Sequence, residues 1–222
     1  MITLAQILRD HQPSLQHRYG ERMRPEHQAA IGSILACHTP ECGEVRYQCA
    51  PCQQSQQAYP SCGHRSCPAC QHGTNSQWLE RQRQKLLPVD YYLVTFTLPA
   101  QLRGLAWHHL RWACHALFQV ARETLFQFAR NDQRLGDQLG LVGVLHTHSR
   151  RLAFHPHVHI VVPGGGLSGS RWQARTDKYL FNGLALAQVF RAKFLTRMRE
   201  QGFTLPDAIP RDWVAQCEHV GR

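Results

Sequence analysis

The spacing of apolar positions changes along the chain, and each change predicts a different element. Leu4, Ile7 and Leu8, and later Ala29, Ala30, Ile34 and Leu35, predict a helical segment over residues 1–36. From Cys37 to His72 the apolar content collapses into Cys, Gly, Pro, Gln and His, a composition that cannot build a hydrophobic core. A polar helix is expected from Thr74 to Leu87, stopped by Pro88. Tyr91 to Leu98 is β-branched and aromatic and closed by Pro99, which predicts a strand. Trp107, Leu110, Cys114, Leu117, Ala121, Leu125 and Phe128 step by three and four, as an amphipathic helix does, with Gly136 and Gly140 after its end. Two strands follow, Leu141 to His148 and Phe154 to Val162, joined closely enough to pair as an antiparallel hairpin. Gly164, Gly165 and Gly166 predict a flexible turn. Leu184, Leu186, Ala187, Val189, Phe190, Phe194 and Met198 predict a second amphipathic helix, and Trp213, Ala215 and Cys217 alternate in a last strand from Asp212 to Val220. The expected fold class is therefore α+β. Residues 88–222 carry a β-α-β-β-α-β order of the ferredoxin-like or RRM-like kind, and residues 37–87 form a small cysteine module with its connecting helix.

Composition narrows the partners. A chain of 222 residues with 43% hydrophobic and 18% charged content has room for one sizeable domain and a small module. Lys and Arg outnumber Asp and Glu by 25 to 15, a net charge of +10, which favours a phosphate-bearing partner. Arg81, Arg83 and Lys85 on the connecting helix, and Arg150 and Arg151 in the hairpin, are the candidate DNA-binding residues, since counterion release rewards such contacts. The plainer reading of the same charges is a solvated helix face and loop. No apolar run approaches the roughly 18–20 residues of a membrane span, and no export signal precedes the first helix, so an intracellular, membrane-free protein is expected.

Nine cysteines, seven of them between Cys37 and Cys70, suggest metal binding rather than disulfides in such a chain. Cys49-x2-Cys52 and Cys67-x2-Cys70, with fourteen residues between the pairs, have the two-knuckle spacing of a tetrahedral structural zinc site. Cys37 and Cys62 are candidates for a second site with Cys42, His38, His64 and His72 nearby, but no spacing selects one ligand set. Cys114 and Cys217 fall on apolar faces and are expected in the core.

His155-Pro156-His157-Val158-His159 places an imidazole at every second position of a predicted strand. Side chains two apart share a face, so the run presents several neutral nitrogen donors to one side, as a divalent-ion site requires.

Three blocks together resemble one family, the rolling-circle, His-hydrophobic-His (HUH) two-tyrosine transposases of the IS91 type. They are Cys37 to Cys70 with its Cys67-Pro68-Ala69-Cys70 ending, Val94-Thr95-Phe96-Thr97-Leu98-Pro99, and Gly143-Val144-Leu145-His146-Thr147 followed by His155 to His159. The later Val189-Phe190-Arg191-Ala192-Lys193-Phe194 is similar as well. The resemblance implies an N-terminal zinc-binding region and an HUH core. In that core His157 and His159, with His146 as third ligand, hold Mg²⁺ or Mn²⁺ against single-stranded or hairpin DNA at transposon ends. It implies metal-assisted single-strand cleavage and joining through a tyrosine adduct, in a bacterial cytoplasm.

The sequence departs from the family pattern at three places. His148 stands where an aromatic is usual and competes with His146. His64 and Ser66 replace a histidine usually set directly before the cysteine. The family's paired tyrosines lie on a helix after the last core strand, whereas the one tyrosine after His159 is Tyr179, where a packing role is expected. The expectation is an N-terminal transposase fragment lacking its nucleophiles, the alternative a zinc-dependent DNA-binding remnant that docks without cutting. Oligomeric state is open.

Overall fold

The N–H of Gln6 donates to the Thr3 hydroxyl at 3.1 Å, satisfying one orphan donor as the chain enters its first helix. The computed structural model describes residues 2–175 and 179–221 and divides the chain into two units, Met1–Leu86 and Leu87–Arg222.

In the first unit α1 (Leu4–Tyr19) gives way to a short 3₁₀ turn, and α2 (Pro25–Ala36) begins with proline at its first position. The single helical segment expected over residues 1–36 is thus two helices. Arg24, between them, takes the extended conformation that a following proline favours. An almost wholly exposed antiparallel hairpin follows, β1 (Val45–Gln48) with β2 (Ser55–Ala58). The connecting helix α3 (Pro68–Arg83) starts six residues before the expected Thr74, because the fixed φ of Pro68 suits a first helical position. Cys70 therefore sits in a helix's first turn. Among the described residues of this unit Ile34 and Cys67 alone are buried, too little apolar material for a hydrophobic core.

The second unit is built on β3 (Tyr91–Thr97). With β5 (Val142–His148), β6 (Phe154–Pro163) and β9 (Val214–Gly221) it forms a four-stranded antiparallel sheet of order β5-β6-β3-β9. Alternation separates its two faces. Tyr92, Val94, Phe96, Val158, Ile160 and Val162 are buried on one side, each large apolar side chain contributing about 1.5–3 kcal/mol. They join one core with α5 (Leu110–Asn131), through Ala113, Leu117, Val120 and Leu125, and α6 (Gly183–Glu200), through Leu186, Phe190, Phe194 and Met198. Phe96 and Phe190 meet with ring centroids 4.8 Å apart.

The helix expected from Trp107 is broken at His109 (φ −120°, ψ 45°), which separates a short α4 (Arg103–His108) from α5. Trp107 and Leu110, expected on the apolar face, are exposed as a result, and so is Leu184 next to the Asn182 cap of α6.

Gly164 to Gly166 do not form a flexible turn. Gly165 and Gly166 are buried in β7 (Gly165–Ser168), which lies between β4 (Gln138–Leu139) and β8 (Arg171–Ala174) in a three-stranded sheet. A Cβ on Gly166 would lie 2.4 Å from the Gly136 carbonyl oxygen, and one on Gly165 would lie 2.4 Å from the Trp172 ring. Close backbone approach, rather than conformational freedom, requires glycine there. No described helix is long and apolar enough to cross a membrane.

Candidate metal centres

The histidine run lies on β6, with its ring-bearing positions on the face opposite α5 and α6. Register pairs His146 with His157 and Val144 with His159 across the hairpin, while β3 places Thr95 opposite His159. Residues directly opposite share a face. One ring nitrogen each from His146, His157 and His159 therefore falls within 4.8 Å of the others.

His148 is not in this group. Between the pairs His146↔His157 and His148↔Phe154, β6 sets two residues, His155 and Pro156, against Thr147 alone. Proline, with no N–H to give the ladder, is suited to such a bulge. The shift turns His148 against the Phe154 ring, centroids 5.9 Å apart, with its Nδ1 2.9 Å from the Thr147 hydroxyl.

Second partners set the ring orientations. His157 Nδ1 is 2.6 Å from the His155 carbonyl, which only accepts, so the ring proton sits on Nδ1 and Nε2 keeps its lone pair. His159 Nδ1 is 2.9 Å from the Thr95 hydroxyl. Burial, reinforced by nearby His146 and His157, holds the His159 imidazole below its ordinary value. Burial, with Arg103 and His157 beside it, does the same for His155. Neutral rings with an open nitrogen are what a divalent ion needs from histidine.

In the first unit Cys37, Cys62, Cys67 and Cys70 come together, their sulfurs all within 4.8 Å of one another. Cys70 Sγ is 3.6 Å from Cys37 Sγ and 3.4 Å from Cys62 Sγ, and the Gly63 N–H donates to it at 3.2 Å. Burial pushes the Cys37 thiol up to about 12. Burial acts to raise Cys70 as well, but hydrogen bonding with Cys62, Cys37, Gly63 and Cys67 outweighs it and brings that thiol down to about 6. The donor set, four sulfurs with one poised as thiolate and supported by a backbone N–H, fits a closed tetrahedral zinc shell.

The grouping by spacing is revised accordingly. Cys67 and Cys70 stand with Cys37 and Cys62 rather than with Cys49 and Cys52. The latter pair is exposed at the β1–β2 turn, closed by Gln53 N–H to the Cys49 carbonyl, and belongs to no group of three or more donors among the described residues. Cys42 is likewise outside the cluster. His64 Nδ1 accepts the Ser66 N–H at 3.1 Å within a local turn, and His38 Nδ1 lies 3.1 Å from the Tyr59 carbonyl, so each ring has a partner outside the cysteine cluster.

Arg81, Arg83, Lys85, Arg150 and Arg151 are all exposed, Arg83 with only a long contact to Glu80 at 3.9 Å. Tyr179 is 53% exposed and lines a surface depression with Phe128, Asp132 and Arg175, not with the histidines. Cys114 and Cys217 are half-buried, Cys217 packed on the core. Sequence reasoning missed Thr95, whose place on the histidine face follows from period two once β3 and β6 are paired. It also missed Arg103, which meets His155 only in the fold.

Two families match the chain, one described as a transposase zinc-binding domain over residues 7–98 and one as a putative transposase over residues 140–212. The putative transposase y4qJ of Sinorhizobium fredii is 35% identical over 192 residues, covering 82% of this chain and 48% of that protein. The transposase for insertion sequence element IS801 of Pseudomonas savastanoi pv. phaseolicola is 36% identical over 139 residues, covering 62% of this chain and 33% of that protein. The chain thus spans about half the length of the first relative and a third of the second.

Proposed function

The chain belongs to the IS91-type transposases, and from that membership we propose that its Leu87–Arg222 unit is an HUH-type core acting on single-stranded DNA at transposon ends. Sheet order supports the reading. From one edge the strands run β9, β3, β6, β5, with both long helices on one face, the ferredoxin-like plan of a β-α-β-β-α-β chain. The observation that carries the proposal is the convergence of His146, His157 and His159 on the other face.

His157 and His159 would hold Mg²⁺ or Mn²⁺ through Nε2, with His146 as the third ligand. The ion, when bound, supplies positive charge against the phosphate oxygens on which charge develops. Thr95 and the His155 carbonyl keep two of the rings turned toward it. The nucleophile expected of the family is a tyrosine, and Tyr179 is not assigned that part. The zinc-binding domain and its four-cysteine cluster support a structural Zn²⁺ in the first unit, with Cys37, Cys62, Cys67 and Cys70 as ligands. Arg81, Arg83, Lys85, Arg150 and Arg151 would meet the DNA backbone.

The test combines Mn²⁺ titration with binding of a labelled single-stranded oligonucleotide across a salt series. The reading expects Mn²⁺ binding that is lost when His157 and His159 are both replaced by Ala, unchanged zinc content, and DNA affinity that falls steeply with salt. Absence of Mn²⁺ binding refutes the metal site. A covalent protein–DNA band marks strand cleavage, and its absence with DNA binding intact favours the zinc-dependent, non-cleaving role.

A further inference from the structure

The run at the end of the hairpin contains three histidines, but one of them is held differently. His155 Nδ1 lies 2.7 Å from a terminal nitrogen of Arg103, the first residue of α4. A guanidinium has donors and no acceptor, so Nδ1 must accept and the ring proton must sit on Nε2. His157, whose ring centroid is 5.1 Å away, has the reverse arrangement, because its Nδ1 faces a carbonyl. Two neighbouring histidines thus present opposite chemistry: His157 offers a lone pair at Nε2 and His155 offers an N–H. His155 also stands outside the group of nitrogens gathered within 4.8 Å.

Charge points the same way. The Arg103 side chain is half-buried against His155, and its Nε is sealed from solvent without a partner. A fixed cation at that spot repels a second metal ion and attracts an anion. A phosphate oxygen, which only accepts, matches both the guanidinium and the imidazole N–H.

We propose that His155 is a hydrogen-bond donor to a phosphate oxygen of the DNA strand at the histidine site, with Arg103 the positioning residue that fixes its tautomer, and not a fourth metal ligand. The proposal rests on the reading of this face as the DNA-facing site. It divides the histidine face into a metal-holding part, His146, His157 and His159, and a phosphate-orienting part, His155 with Arg103. The strand bulge at Pro156 lies between them.

Long-range ¹H–¹⁵N correlation spectra of the metal-free full chain read both tautomers without substitution. The proton is expected on Nε2 of His155 and on Nδ1 of His157, and a His155 ring protonated on Nδ1 overturns the proposal. Arg103→Ala should release the His155 tautomer, and Arg103→Lys should keep it.

Binding of a short oligothymidylate, with and without Mn²⁺, completes the test. His155→Ala should weaken it about tenfold, the size expected for one hydrogen bond to a charged group. His155→Gln, which keeps an N–H donor, should recover most of the loss. Mn²⁺ affinity should stay within about twofold in both variants, against a loss of at least tenfold for a true ligand or its support. A fall in Mn²⁺ affinity with His155→Ala that matches His157→Ala makes His155 a ligand and overturns the inference. Unchanged oligothymidylate affinity makes it a packing strut and does the same. A wild-type chain that binds oligothymidylate but no Mn²⁺ defeats only the metal reading, since the His155 comparison is still read without metal. A chain that binds neither defeats both.

Discussion

His159 Nδ1 stands 2.9 Å from the Thr95 hydroxyl, across the β3–β6 pairing that sets these two residues directly opposite each other. The contact engages Nδ1 and leaves Nε2 as the open nitrogen of a ring whose centroid is 4.6 Å from that of His146 and 4.9 Å from that of His157. Thr95→Val keeps the shape and removes the oxygen, so Mn²⁺ affinity should fall about tenfold or more, the usual effect of losing a partner behind a metal ligand. Thr95→Ser should retain it. Electron paramagnetic resonance of free Mn²⁺ reads both, and wild-type affinity in the valine variant would show that packing alone holds the ring.

Zinc content separates the two cysteine groupings. Cys37→Ser or Cys62→Ser should each release the metal and unfold the first unit, which buries only Ile34 and Cys67 among its described residues and has no other staple. Cys49→Ser and Cys52→Ser should keep full zinc. Metal analysis with circular dichroism makes the measurement, and zinc loss in the Cys49 and Cys52 variants but not in the first two would restore the grouping read from spacing.

Acid should destabilise the metal-free chain through its sheet histidines. His155 and His159 are held below their ordinary 6.5, so the unfolded chain takes up protons at a pH where the folded chain does not. Their contribution is present above the unfolded value and is lost as pH falls through the depressed folded values. The denaturation midpoint of the chelator-treated protein should therefore drop between about pH 7 and about pH 5. Gln at both positions should reduce that drop, and a pH profile indifferent to the substitutions would contradict it.

The contact of Gly136 with Gly166 is backbone on backbone. A Cβ on Gly136 would lie 2.2 Å from the Gly166 carbonyl carbon, and no flexible side chain is there to yield. Gly136→Ala and Gly166→Ala should each cost about 2–4 kcal/mol, in the upper range for single substitutions. Gly104→Ala, which meets nothing within 4 Å, should cost little. Chemical denaturation followed by tryptophan fluorescence compares the three, and equal midpoints would mean the small sheet tolerates separation.

Much of the second unit was legible in the chain alone, because period and boundary residues are local information. Alternation around His157 and His159 put them on one strand face, and the steps of three and four placed Leu117, Leu125, Phe190 and Phe194 toward a core. Where the local reading erred, a nearby residue overruled periodicity. Pro68 moved a helix start, His109 split a helix, and packing against Trp172 and Gly136 set Gly165 and Gly166 in a strand where a flexible turn was expected.

Sequence by itself determined the four core strands and two long helices of the second unit, the identity of the chemistry-bearing residues and the family they resemble. Tertiary structure alone decided which of those residues meet. The bulge beside Pro156 chose His146 over His148, and the approach of α2, the segment before Pro68 and α3 gathered Cys37 and Cys62 with Cys67 and Cys70 while Cys49 and Cys52 stayed at a hairpin turn. Arg103 reached His155 across fifty-two positions of chain. Spacing encodes direction within one element, because backbone dihedrals repeat there, whereas grouping between elements depends on register and packing that no short window of sequence contains.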